Sequence, residues 1–123
     1  MPVKRPHVLL YGMFGIGNSG NDATLGVTLH ELRKHLPNAR FTAIASVPEW
    51  VRREFGIDAL SIRAEYASTW PGPLRKLGNE WARWRQACAV LRDADCLLIP
   101  GTGILDDFGA SVMGHAFQLW RWC

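Results

Sequence analysis

The sequence predicts an α/β domain built on a parallel sheet, and three observations carry that prediction. Short apolar runs at 8–11, 40–45 and 96–99 are continuous rather than alternating, as expected of strands covered on both faces. Between them lie segments whose apolar residues recur at three and four positions, the period of an amphipathic helix. Two of the runs open into glycine-rich loops, at 12–20 and 101–103. Strands alternating with helices in this way imply a Rossmann-like parallel sheet with helices on both faces.

The elements follow in order. The first strand, 8–11, ends at Gly12. A helix runs from about Asp22 to Leu36, with Leu25, Leu29, Leu32 and Leu36 on one face and Pro37-Asn38 as its stop. Residues 40–45 form the second strand. Ser46-Val47-Pro48-Glu49 reads as a helix start, with Ser46 as cap and Glu49 completing a capping box. Gly56 stops that helix after Phe55, and Leu60-Ser61-Ile62 is a brief third strand. Thr69-Trp70-Pro71-Gly72-Pro73 is a rigid loop.

Leu74, Leu77, Trp81, Trp84, Cys88 and Leu91 then trace a long amphipathic helix whose stripe is expected to pack on the sheet. Arg75, Lys76, Arg83, Arg85 and Arg92 flank it, so the sharper alternative is a helix lying on an anionic membrane surface. Stacking of Trp70 on a sugar ring is a further option. The fourth strand, 96–99, leads into Pro100-Gly101-Thr102-Gly103, and a last helix begins near Gly109.

Composition bounds the function. The 123 residues suffice for one domain, 1–123, and 48% hydrophobic against 20% charged residues excludes a disordered chain. No run approaches the roughly 20 apolar residues of a membrane span, and the run after Lys4 and Arg5 is too short for a signal peptide. A cytoplasmic location is expected, with the inner membrane face as the alternative site. A net charge of +3 suits an anionic substrate and falls short of a nucleic-acid binder. Cys88, Cys96 and Cys123 have no metal or redox spacing and read as reduced, partly buried thiols. The closing Phe117-Gln118-Leu119-Trp120-Arg121-Trp122-Cys123 reads as a helix without a stop signal. It leaves Trp120 and Trp122 exposed, and we expect a truncated amino-terminal half of a larger protein.

In an open parallel sheet, ligands bind outside the carboxyl ends of the strands. The loop Gly12-Met13-Phe14-Gly15-Ile16-Gly17-Asn18-Ser19-Gly20-Asn21-Asp22-Ala23 precedes a helix start, where glycines let backbone N–H groups approach an anion. Its Gly15-x-Gly17-x-x-Gly20 spells the dinucleotide fingerprint. The acid that should follow the second strand is missing, however, and Ser46 stands near that place. No nicotinamide or flavin cofactor is therefore expected.

The wider pattern, Tyr11-Gly12-x-x-Gly15-x-Gly17-Asn18-x-Gly20 followed by an acid and Ala23, resembles the opening of the polysaccharide pyruvyl transferase family. Gly101-Thr102-Gly103-Ile104-Leu105-Asp106-Asp107 resembles its second signature, Gly-Gly-Gly-x-Leu-x-Asp. Asn21 stands where the family usually has Asp, Asp22 where it has Glu, and Thr102 replaces a glycine. The resemblance covers essentially all of this chain and the first part of a family member. It implies one half of a two-domain GT-B-type transferase, with two Rossmann-like halves facing across a cleft.

The implied reaction moves the enolpyruvyl group of phosphoenolpyruvate, the expected donor, onto two sugar hydroxyls as a ketal and releases phosphate. It implies a sugar or lipid-linked saccharide acceptor and a carboxyl-terminal partner domain that carries most of the donor-binding cations. No cofactor is expected, and no residue is assigned to a metal. The isolated chain is expected to be inactive in transfer.

Candidate site residues follow. Gly15, Gly17, Asn18, Gly20 and Asp22 are candidate substrate binders; for Asn18 the alternative is locking the glycine turn, and for Asp22 a helix-cap carboxylate. Gly101 and Gly103 belong to the second loop. Asp107 matches the family's aspartate and is preferred, with Asp106, as the carboxylate that orients or deprotonates an acceptor hydroxyl; the alternative is capping of the last helix. His115, read as one turn into that helix, is a further substrate-side candidate, with a surface or core histidine as the alternative. The rival function is a stand-alone Rossmann-like nucleotide- or anion-binding module without catalysis.

Overall fold

A computed structural model describes residues 4–63, 69, 71–101 and 114–123, with the backbone alone at 115 and 116. The order is β1 (His7–Gly12), α1 (Ser19–His35), β2 (Arg40–Ala45), α2 (Pro48–Phe55), β3 (Asp58–Ser61), α3 (Gly72–Asp93), β4 (Cys96–Leu98) and α4 (His115–Trp122). The four strands make one sheet, β3-β2-β1-β4, in which every pairing is parallel. Growth runs outward from β1 through β2 to β3, then reverses to place β4 on the other side of β1. Because parallel crossovers are right-handed, that reversal puts α3 on the opposite face from α1 and α2. The sheet is Rossmann-like, with helices on both faces, as the sequence predicts.

Alternate residues of β1 feed two cores. Val8 and Leu10 join Phe41, Ala43, Ala45 and Ala59 under Leu25 and Leu29 of α1 and Val51 of α2. Leu9 and Tyr11 join Ile44 and Ile62 under Ala87 of α3 and Trp122 of α4. Each fully buried Leu or Val is worth roughly 1.5–3 kcal/mol of transfer free energy. The central strands β1 and β2 are buried almost throughout, which accounts for their continuous apolar spelling.

Several expectations are corrected. The first helix begins at Ser19 rather than near Asp22, because Asn18 caps it: its Oδ1 accepts from the amides of Gly20 and Asn21 at 3.1 and 3.4 Å. Ser46 does not cap α2. The cap position is Val47, which makes no side-chain cap bond, and Pro48 starts the helix with a pre-set φ. Gly56 does end α2, at φ 63°, where only glycine is free of strain. The fourth strand is short and at the sheet edge, with Cys96 exposed rather than covered on both sides. Cys88 and Cys123 are exposed as well, not partly buried.

The predicted stripe of α3 does not pack on the sheet along its length. Leu74, Leu77 and Trp81 face solvent; the buried position of the helix is Ala87, about a third of a turn round from those three, and of the stripe Leu91 packs against the core. At the other end, Trp122 is only 2% exposed and packs near Tyr11, with ring centroids 6.4 Å apart, so just Trp120 of the two terminal tryptophans is exposed. The last helix is described from His115, capped by Gly114; a start near Gly109, like Trp70, lies outside the described residues.

Candidate functional site

The strand order creates a switch point between β1 and β4, the two strands that run toward the glycine motifs. Val8, Leu9 and Leu10 pair in parallel register with Cys96, Leu97 and Leu98, so the two strands deliver their loops at the same, carboxyl edge. The chain leaves β1 in a tight reversal in which the Phe14 amide donates to the Gly12 carbonyl at 2.9 Å. The Phe14 ring folds back over Gly12 so closely that a Cβ there would overlap it, and the ring is fully buried in the α1/α2 core.

Beyond that reversal the loop is held by its own side chains. The Gly15 amide donates to Asp22 Oδ1 at 2.9 Å, and the Phe14 carbonyl accepts from the Val47 amide at 3.2 Å. Gly15 and Gly17 both have φ 83°, a backbone that side chains rarely adopt. At Gly15 a Cβ would also meet Val47 Cβ at 3.0 Å, whereas Gly17 has open space around it. Asn18 locks the turn as the helix cap, and Thr24 Oγ1 donates to the Gly20 carbonyl at 2.8 Å. Asp22 is thus a loop tether within the first turn of α1, not the cap itself. No described acceptor meets the amides of Gly17 and Ser19, which leaves them beside the positive end of the α1 dipole.

Asn21, in the first turn of α1, lies beside the start of the second loop. A Cβ on Gly101, whose φ is 104°, would lie 3.8 Å from Asn21 Oδ1. Tyr11, Gly12, Met13, Phe14, Asn21, Ile99, Pro100 and Gly101 line a narrow crevice of about 10 Å³ between them. Asn21 is the residue that sequence reasoning undervalued; it was visible only as a missing charge. Gly103, Asp106 and Asp107 lie outside the described residues. His115 is the first residue of α4 rather than one turn into it, with its backbone alone described.

Cations also reach the α3/α4 side of this edge. Tyr11, the penultimate residue of β1, has its hydroxyl pKa pushed up to about 12 by burial, an effect that Arg121 and Arg63 oppose. With its amide oriented so that the oxygen faces Arg63, Gln118 accepts from Arg63 Nε and Nη2 at 2.7 Å. Arg121 is buried, pairs with Glu80 Oε2 at 2.6 Å, and stacks over the Trp84 and Phe117 rings. Its Nε and the Trp122 Nε1 have no described partner.

Larger depressions, about 490 and 390 Å³, open at the opposite, amino edge of the sheet. Several of their charged groups are matched to neighbours. Arg40 Nη2 contacts Asp93 and lies 2.8 Å from His7 Nδ1, and His7 Nε2 lies 2.9 Å from Thr42 Oγ1. Lys4 pairs with Asp95 at 2.7 Å, which holds the Asp95 carboxyl below its ordinary pKa and the Lys4 ammonium above its own. These contacts tie the start of β1 to the end of α3. The carboxyl edge is the better candidate, because that is where an open parallel sheet presents its loops and helix starts to a ligand. Among the described residues there is no cluster of metal-ligating side chains and no helix long and apolar enough to cross a membrane. Compared with family models, curated proteins and solved structures, the chain finds no match.

Proposed function

We propose that this chain acts as the amino-terminal half of a pyruvyl transferase that closes a ketal on a sugar with phosphoenolpyruvate as donor. The reading rests on the two glycine motifs and their resemblance to the polysaccharide pyruvyl transferase family. The observation that supports it is that β1 and β4 end side by side at one switch point, with Asn21 beside Gly101. In the proposed reaction a proton adds to the donor methylene carbon. Two acceptor hydroxyl oxygens bond to the carbon that carried phosphate, and phosphate leaves with the second hydroxyl proton. Amides near Gly17 and the α1 dipole would hold an anionic group, while Asp107, with Asp106 beside it, would orient or deprotonate the acceptor hydroxyl. Loop rigidity set by Asn18 and Asp22 keeps those amides in place before the ligand arrives. A GT-B-type partner domain would complete the cleft and bring most of the cations for the donor.

The test uses the protein encoded by the whole reading frame that contains this segment. Incubated with phosphoenolpyruvate and a lipid-linked saccharide, it should release inorganic phosphate and give a ketal methyl signal in the proton NMR spectrum. Asp107→Ala should abolish both. A protein that binds NADH or ADP tightly, while phosphoenolpyruvate neither binds nor turns over, would establish the binding-module reading instead.

A further inference from the structure

Leu74, Leu77 and Trp81 lie at i, i+3 and i+7 on α3, and the last two are each 69% exposed. Helical geometry puts them in one strip along the first turns of α3. Trp84, one turn further on, meets Trp120 of α4 edge to face at 5.2 Å, and Trp120 is itself 64% exposed. The strip therefore continues onto α4 as one apolar surface carrying three indoles. Arg85 borders it, Arg75 and Lys76 come next on either side round the helix, and all three are exposed. The one acid between Gly72 and Arg85, Glu80, has its oxygens engaged by Arg83 and Arg121, each at 2.6 Å.

We propose that this α3/α4 surface docks on an anionic lipid bilayer, with Leu77, Trp81 and Trp120 at the headgroup boundary and Arg75, Lys76 and Arg85 on lipid phosphates. Indoles partition to that boundary, and an apolar strip edged by cations lies in its plane. Charge selects this occupant over a second copy of the chain. A two-fold pairing of the same surface would set each copy's cations against those of the other, whereas anionic lipid supplies the opposite sign. No described helix is long and apolar enough to cross a membrane, so the contact is peripheral. The proposal does not depend on the transferase reading.

The experiment is cosedimentation of the full 123-residue chain with vesicles of phosphatidylcholine alone or mixed with phosphatidylglycerol. Binding is expected to the mixed vesicles and to weaken as salt rises. The double variant Leu77→Ser/Trp81→Ser should lose about tenfold or more of that affinity through lost apolar insertion. Arg75→Glu/Lys76→Glu should lose about tenfold or more through charge reversal. All four positions are exposed, and an unchanged circular dichroism spectrum checks that the variants fold. The proposal is overturned if the wild type fails to bind mixed vesicles, binds both kinds equally, or is unaffected by Leu77→Ser/Trp81→Ser. A concentration-dependent dimer that the same double variant abolishes, without vesicle binding, would assign the surface to self-association and also overturn it.

Discussion

The two faces of the sheet are built by different rules. On the α1/α2 side, Leu25, Leu29 and Val51 close over Val8, Leu10 and Ala43 in an apolar core. On the α3/α4 side, Ala87 and Trp122 are the buried helical members of the core. There the packing is shared with a part-buried Arg121–Glu80 pair and a Gln118–Arg63 contact, while the most apolar strip of α3 faces outward. Helical periodicity reports that a helix has an apolar side. It does not report which way that side points, because the direction is set by where the neighbouring elements stand.

Core truncations should separate the faces most widely. Leu29→Ala is expected to cost about 2–5 kcal/mol and Trp122→Ala about 3–5 kcal/mol in urea denaturation, since both leave cavities. Trp81→Ala should change stability by no more than about 0.5 kcal/mol, as for an exposed position. Equal losses at Leu29 and Trp81 would break the comparison outright. Next in size, Gly12→Ala should cost about 1–3 kcal/mol, because a new methyl must displace the buried Phe14 ring. Asn18→Ala should cost about 0.5–2 kcal/mol by freeing the Gly20 and Asn21 amides, measured by the same denaturation.

The α3/α4 side should also respond to alkali. Tyr11 ionises near 12 in the fold, above its ordinary 10, so the unfolded chain gives up the proton first. Its stabilising contribution is therefore complete below pH 10 and declines as pH rises toward 12. A spectrophotometric titration should show one late tyrosine, lost in Tyr11→Phe. The smallest effect belongs to the amino edge. Asp95 titrates below its ordinary value of 3.8, so its contribution is present above that pH and is lost as pH falls through the folded value. Asp95→Asn should slightly flatten the acid limb of the stability profile, read from thermal melts across pH.

Much of the fold was legible because its signals are local. The runs of β1 and β2, the leucine spacing of α1 and the stop at Gly56 each depend on neighbours within a turn or two, and each stands where the sequence places it except Leu36, which falls at the cap beyond α1 and is exposed. The alternation of strands and helices was enough to predict a parallel sheet, and glycine spacing marked the loop that leaves β1 at its carboxyl edge. Other features needed the fold. Ser46 spells a cap, yet the loop after β1 claims the adjoining backbone through the bond from Val47 to the Phe14 carbonyl, and Val47 takes the cap position. Asp22 looks like a cap and instead reaches back seven residues to the Gly15 amide. The outward turn of Leu77 and Trp81, the burial of Trp122 beside Tyr11, and the meeting of Asn21 with Gly101 join residues far apart in the chain or set a helix's rotation. Short-range spacing determines which elements form, since each must satisfy its own backbone and segregate its own apolar surface. Tertiary packing alone decides which surfaces meet, because that choice minimises exposed area over the whole molecule rather than along any one segment.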